Sequence, residues 1–76
     1  MNKQRRAELD KIVLKLEEAK ADIETIRDEE QEAYDNMPEN LQMSDRGDAA
    51  QGRVDALDYA VDAFYEITDN INTAME

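Results

Sequence analysis

Apolar residues recur along the first half of the chain at alternating spacings of three and four, which is the repeat of a coiled-coil helix. With Leu9 at position a of a heptad lettered a to g, position e adds Val13 and Tyr34 to the apolar stripe. Positions a and d hold Leu9, Ile12, Leu16, Ala19, Ile23, Ile26, Glu30, Ala33 and Met37. The pattern predicts a helix over about residues 3–36, with its a and d positions facing a neighbouring helix.

The second half shows the same repeat over about residues 45–75, and its apolar arc is wider. With Val54 at position a, positions a and d hold Val54, Leu57, Val61, Phe64, Thr68, Ile71 and Met75. Position g adds Ala60, Ile67 and Ala74. An arc over a, d and g is broader than one neighbouring helix covers, so the second helix is predicted to pack against two.

A connector over about residues 37–44 separates the two helical patterns. It holds the only proline, Pro38, and the residue before a proline avoids helical geometry. Ser44, or the aspartate after it, suits the N-cap of the second helix. Because Gly47 and Gly52 weaken the first turns, this end of the helix is predicted to fray.

We predict a single all-α domain over residues 1–76, an antiparallel two-helix hairpin, because a connector of about eight residues favours antiparallel neighbours. A chain of 76 residues buries too little surface for a robust core, and it has no cysteine to add a disulfide or a thiolate metal site. We therefore expect a homodimer that forms a four-helix bundle. The alternative is a monomeric hairpin that completes its core on another protein.

Charge narrows the possible partners. The net charge is −11, and residues 21–76 hold three bases against sixteen acids. Such a surface repels nucleic acid and anionic membranes, so we expect neither as a direct partner and favour a basic protein. No apolar run is long enough to span a membrane, and without cysteine the expected compartment is the cytoplasm. The basic Lys3, Arg5 and Arg6 are interpreted as ion-pair partners of a neighbouring helix or subunit, with phosphate binding as the alternative.

The residue types needed for most catalysis are missing. There is no histidine, no cysteine and no glycine-rich phosphate loop, and Ser44 has no base to activate it. We therefore predict no enzyme, no catalytic residue and no cofactor. One alternative rests on two carboxylate pairs that resemble the magnesium site of all-α nucleotide pyrophosphatases, Glu29 with Glu32 and Glu66 with Asp69. The pairs lie roughly 25 Å apart along a hairpin, so no metal site is predicted.

Acidic residues are the strongest pattern outside the core. Asp48, Asp55, Asp62 and Asp69 repeat every seven residues along one line of the second helix, and Asp58 and Glu66 lie beside them. One interpretation is a solvated face that keeps the protein soluble. The other is a stiff row of carboxylates that imitates the phosphates of nucleic acid.

The connector carries more than a turn requires. A single helical turn holding Leu41 is predicted there, with Leu41 and Met43 folded back over the ends of the helices. Gln42 and Arg46 add hydrogen-bond donors. They either fasten the turn, with Arg46 paired to a neighbouring carboxylate, or form a contact surface with Leu41. The predicted partner-binding residues are thus Asp48, Asp55, Asp58, Asp62, Glu66, Asp69, Leu41, Gln42 and Arg46.

The whole chain resembles short uncharacterised proteins of bacteriophages and prophages. The resemblance rests on the NKxRR start, the alanine-rich acidic second helix and, above all, the string NxPExLQxSxRG over residues 36–47. It implies a phage origin, a small helical protein of the host cytoplasm and no catalytic residue. By analogy, we expect stoichiometric binding to a basic host protein, inhibiting a nucleic-acid-acting defence enzyme by nucleic-acid mimicry. A purely structural assembly protein is the alternative.

Overall fold

The computed structural model describes all residues from 1 to 76, and the chain is all-helical. Two long helices, α1 (Lys3–Asp35) and α3 (Asp45–Met75), are joined through a single helical turn, α2 (Glu39–Gln42). Helix α1 ends one residue before the predicted boundary. The single turn lies where the sequence predicts one around Leu41, and the chain contains no strand.

The termini of α1 have identifiable caps. The Asn2 side chain accepts a hydrogen bond from the Arg5 backbone amide at 2.8 Å, which satisfies one of the free amides of the first turn. At the other end, the Asn36 and Met37 amides donate to the carbonyls of Glu32 and Tyr34, at 3.0 Å each. The following proline cannot continue the helix, so α1 ends here.

The connector is held by short-range hydrogen bonds. The amides of Leu41 and Gln42 donate to the Pro38 carbonyl at 2.9 and 3.0 Å, which closes the α2 turn. Ser44 is the N-cap residue of α3, but its hydroxyl donates back to the Leu41 carbonyl instead of accepting from α3. Leu41 is half-buried as predicted, whereas Met43 is 80% exposed, so the prediction that Met43 folds back over the helices is wrong.

Gly47 permits close packing, a role that the sequence pattern does not show. It is buried, and α2 passes directly over it. A Cβ atom at this position would lie 2.6 Å from Gln42 Cα and nearer still to the Gln42 carbonyl group. Only glycine therefore allows the backbone of α2 to approach the first turn of α3. Gly52 faces open space and has no such role.

The two long helices lie side by side and run in opposite directions. Lys20 contacts Tyr65, Arg27 pairs with Asp58, and Glu30 pairs with Arg53, so higher numbers in α1 meet lower numbers in α3. The result is a thin rod with extents of 58 × 15 × 11 Å. The connector forms one end of the rod, and both chain termini lie at the other.

Helix α3 turns its a and d positions toward α1, as the pattern predicts. Every one of these positions from 47 to 75 is buried or half-buried. The four buried residues of the protein all lie here: Gly47, Ala50, Val54 and Val61. These buried side chains become smaller toward the connector, from valine to alanine and glycine.

Helix α1 turns a different face toward α3 than predicted. Its a positions are half-buried, but the second inward line is e, which holds Val13, Lys20, Arg27 and Tyr34. The d residues Ile12 and Ile26 are 43% and 52% exposed, and the alanines at d are also exposed. Lys20 and Arg27 occupy the interface because their aliphatic stems pack while their charged ends reach groups at the edge of α3.

Candidate partner-binding surfaces

The acidic row, defined as Asp48, Asp55, Asp62 and Asp69, is exposed along its whole length. All four residues lie at position b of α3, and Asp69 also borders the small pocket that α3 forms with Leu16 and Lys20 of α1. Successive carboxylates are roughly 10.5 Å apart along the axis at helical rise. The only hydrogen bond to the row comes from Gln51, whose side-chain amide donates to Asp55 at 3.1 Å. The carboxylates are therefore available to an external cation.

Asp58 differs from the acidic row because it is paired within the chain. Arg27 Nη1 donates to Asp58 Oδ1 at 3.2 Å, and the same guanidinium donates to Asp28 at 3.1 and 3.3 Å. These contacts, first with Asp28 and then with Asp58, raise the pKa of Arg27. Asp58 thus contributes less free negative charge than predicted, whereas Glu66 is exposed and makes no ion pair.

Tyr59 adds an aromatic ring to the acidic surface. Together with Asp55, Asp58 and Asp62 it lines a shallow concavity of about 220 Å³. The Tyr59 ring is exposed, so its face is open to solvent. Aromatic faces and carboxylates both attract ammonium and guanidinium groups. The sequence analysis did not identify Tyr59 as a candidate, although it lies between Asp58 and Asp62 at a heptad position on the surface.

A second tyrosine, Tyr65, holds a cation of the chain itself. Lys20 Nζ lies 4.1 Å from the centre of the Tyr65 ring and 4.0 Å from the Glu24 carboxylate. Contact with Tyr65, followed by the charges of Glu24 and Glu17, raises the pKa of Lys20. Lys20, Tyr65 and Glu17 border a small pocket of about 80 Å³ beside Phe64. The pairing closes this flank of the helix pair.

The connector residues proposed as a contact surface divide into two groups. Gln42 Nε2 donates to the Tyr34 carbonyl at 2.9 Å and so fastens α2 to the end of α1. Leu41 is half-buried beside it. Arg46 is exposed and makes no ion pair, so the predicted pairing with a neighbouring carboxylate is wrong. At this end, Arg46 and Met43 are among the exposed side chains that are free to contact a partner.

The carboxylates do not gather into a metal site. No group of three or more acidic side chains is arranged to hold one ion. Glu29, Glu32, Glu66 and Asp69 are all exposed. Since Lys20 lies beside Tyr65, Glu66 is level with residues near 19, roughly 15–20 Å from Glu29 and Glu32 along the rod. The two pairs are therefore separated within one chain.

An uncovered apolar face runs along one flank of the rod, and the sequence reasoning identified only part of it. The Glu30–Arg53 pair lies on this flank, which places position d of α1 beside positions g and c of α3. Its isoleucines are 43–52% exposed, and its alanines are exposed apart from the half-buried Ala60. We define the apolar face as Ile12, Ala19, Ile26, Ala33, Ala49, Ala56, Ala60, Ala63, Ile67 and Ala74.

The basic residues near the N-terminus are also uncovered. Lys3, Arg5 and Arg6 are exposed, and no carboxylate of the same chain lies within ion-pair distance of them. These three basic residues therefore do not pair with the neighbouring helix of the same chain. The remaining interpretations are pairing with a second subunit and binding of phosphate.

Comparison with known proteins gives no family to which this chain can be assigned. No family model, no characterised protein and no solved structure matches it. Neither α1 nor α3 is long and apolar enough to cross a membrane. The surfaces described above are thus the basis on which a function can be argued.

Proposed function

We propose that the chain acts by stoichiometric binding to a basic protein surface, which it contacts through the acidic row of α3. The observation that supports this proposal is the exposure of four aspartates on one line of a long helix, with almost no internal partner. In keeping with the phage resemblance, the target is a nucleic-acid-binding surface of a host enzyme, such as a defence nuclease. The protein occupies that surface in place of nucleic acid.

Rigid spacing is what distinguishes the acidic row from an ordinary solvated face. The carboxylates are fixed on a helix whose opposite side packs against α1, so little conformational freedom is lost on binding. Cations on a nucleic-acid-binding surface meet these carboxylates at regular intervals. Tyr59, with Asp55 and Asp62 on either side, offers one site where a lysine or arginine also contacts an aromatic face.

The active form in this proposal is a homodimer, in which two antiparallel hairpins form a four-helix bundle. Only four of 76 residues are buried in one chain, which is too small a core to hold two helices of about 30 residues. A second copy supplies the missing contacts. The dimer also displays two acidic rows, so it can engage two target molecules.

The test begins with host proteins that bind duplex DNA and are also captured by the immobilised protein. Each candidate is purified, and its affinity is measured for the wild-type protein and for the quadruple variant D48N/D55N/D62N/D69N. We expect binding to weaken at least about tenfold in the variant and to fall with salt. Duplex DNA should compete with the protein for the same site.

A matched control separates the pattern of charges from the amount of charge. The variant E18Q/D22N/E29Q/E32Q removes four exposed carboxylates from α1, and none of them is paired within the chain. It has the same net charge as the acidic-row variant, and at a protein concentration where both variants sediment as the wild type does it should bind the target almost as the wild type does. Equal weakening by both variants would contradict a specific role for the acidic row. Full binding by the acidic-row variant at low salt would contradict mimicry outright.

A further inference from the structure

We propose that a second copy of this chain covers the apolar face, with the two rods lying in opposite directions. The inference rests on the homodimer of the proposed function, and it adds the contact surface and the orientation. Each connector then lies beside the open end of the other copy. The two-fold axis crosses the middle of the rod, near the level of Ala63.

Charge is distributed unevenly around the rod. The three lines of positions that form the apolar face, d of α1 with g and c of α3, contain no acidic residue between residues 5 and 74. They hold only alanine, isoleucine, one asparagine and three arginines, namely Arg5, Arg46 and Arg53. In a chain with 20 acids among 76 residues, a face left to solvent would be expected to carry several. The absence of acidic residues from this face is what packing against a second copy, itself with a net charge of −11, requires.

The single chain leaves more surface exposed to solvent than a compact monomer of its mass would. Its solvent-accessible surface is 5739 Å². A compact monomer of 8.7 kDa is expected to expose roughly 4,700 Å². The excess of about 1,000 Å² is close to the roughly 800 Å² that each partner buries in a stable interface. The missing burial is therefore about one side of a standard dimer.

The length of the apolar face favours a second rod as the partner that covers it. The apolar residues run from the level of Ile12 and Ala74 to that of Ala33 and Ala49, which is roughly 35–40 Å at helical rise and about two thirds of the 58 Å length. Alanine lines along α3 allow another helix to approach closely. With a two-fold axis at Ala63, Ile67 of one copy falls opposite Ala60 of the other, so large side chains meet small ones.

Charge along the rod decides the orientation. The Lys20–Tyr65 contact marks a common level, which divides the rod into an open half and a connector half. The open half, residues 1–20 and 65–76, carries six bases and seven acids, a net charge of −1. The connector half, residues 21–64, carries three bases and thirteen acids, a net charge of −10. If the two rods lay in the same direction, the connector half of each, with a net charge of −10, would face the connector half of the other. In opposite directions, each connector half faces an open half, with a net charge of −1, so the repulsion is much weaker.

This arrangement also gives the basic N-terminus a partner. In opposite orientation, α1 of one copy lies along α1 of the other, since the two-fold axis runs across the rod. Residues 1–20, with a net charge of +2, then lie beside about residues 24–43 of the second copy, with a net charge of −6. Lys3, Arg5 and Arg6, which have no ion-pair partner within their own chain, gain carboxylates there. The acidic rows remain on the two outer surfaces.

Single cysteines test both the face and the orientation, because the chain has no cysteine of its own. Ala63→Cys and Ala49→Cys are matched, since both residues are exposed alanines at position c of α3. A short bis-maleimide should link two copies of A63C. It should not link A49C, whose copies are roughly 40 Å apart in this orientation. Two copies of the Leu14→Cys variant should not be linked either, because Leu14 lies on the outer side of α1 and is 60% exposed.

The possible outcomes lead to different conclusions. Equal linking of A63C and A49C would contradict the opposite orientation. Linking of L14C without A63C would contradict the apolar face as the interface while leaving the homodimer in place. A wild-type protein that sediments as a monomer would instead refute the homodimer itself.

A second comparison does not depend on cross-linking. Ile26→Glu introduces an acid into the apolar face, and Leu14→Glu introduces the same acid at another exposed aliphatic residue of α1. We expect I26E to raise the dimer dissociation constant at least about tenfold, because a charge is then buried without a partner. L14E should dimerise as the wild type does. Unchanged dimerisation of I26E would overturn the proposal.

Discussion

The clearest test of the fold compares two substitutions of the same kind at the two glycines of the chain. Gly47→Ala places a methyl group against the backbone of α2, where Gln42 Cα would be 2.6 Å away and an ordinary contact begins at 3.4 Å. The connector has to retreat, and the Gln42–Tyr34 hydrogen bond is strained or lost. Gly52→Ala places the same methyl group in open space.

The magnitudes follow from two opposing effects. Alanine stabilises a helix by about 1 kcal/mol relative to glycine, and both variants gain this. Overpacking against a backbone costs about 1–3 kcal/mol, and only Gly47→Ala suffers it. We therefore expect G52A to be stabilised by about 1 kcal/mol and G47A to be about 1–3 kcal/mol less stable than G52A. At about 4–8 °C per kcal/mol, the midpoints of thermal unfolding should be separated by roughly 10 °C.

The assay is thermal unfolding followed by far-ultraviolet circular dichroism, at one fixed protein concentration because dimerisation shifts the midpoint. A double variant, G47A/G52A, should show the two effects adding. If G47A unfolds at the same temperature as G52A or higher, α2 does not pack on the first turn of α3, and the account of the connector is refuted.

Two further predictions concern individual side chains. Gln42→Ala removes the donor to the Tyr34 carbonyl and should lower stability by about 1 kcal/mol in the same unfolding assay; no change would show that Gln42 does not fasten the connector. Tyr65→Leu should return the raised pKa of Lys20 toward its ordinary value in an NMR titration, whereas Tyr59→Leu, which has no contact with Lys20, should leave that pKa raised. Because the folded-state pKa of Lys20 is raised, its contribution to stability is present below the ordinary lysine pKa and is lost as the pH rises through the raised one. An unshifted Lys20 in the wild type would contradict the contact.

How far the fold can be predicted differs between the two long helices. In α3, apolar side chains occupy almost every a and d position, so only one face can turn inward, and the inward residues are predicted correctly. In α1, position d offers Ile12 and Ile26, while position e offers Val13 and Tyr34. Sequence alone does not show which of two comparable lines faces the neighbour within the chain. The structure selects e and leaves d for another contact.

The connector shows why a distinctive string need not mark a functional site. Pro38 begins the single turn, Gln42 bonds to the end of α1, and Ser44 bonds back to the turn. Gly47 is required by the close approach of α2. Most of the string that underlies the phage resemblance thus serves the turn, and the requirement at Gly47 depends on a long-range contact that propensity does not reveal. Among the polar side chains of the string, Arg46, Asn36 and Glu39 are exposed and left free for a partner.

The acidic surface was partly predictable. The heptad spacing of its four aspartates follows directly from helical geometry, and all four are exposed. The internal pairing of Asp58 with Arg27 could not be foreseen, because it depends on which face α1 turns inward. Tyr59 and the alanines at position c were overlooked because single aromatic and small residues carry little signal in a one-dimensional pattern.

The dependence of the fold on a second copy is tested most directly by sedimentation equilibrium of the wild-type protein at micromolar concentrations, with helicity monitored in parallel. The account predicts a helical species with the mass of two 8.7 kDa chains, and loss of helicity together with dissociation on dilution. A fully helical, cooperatively unfolding species of one chain across that concentration range would contradict it.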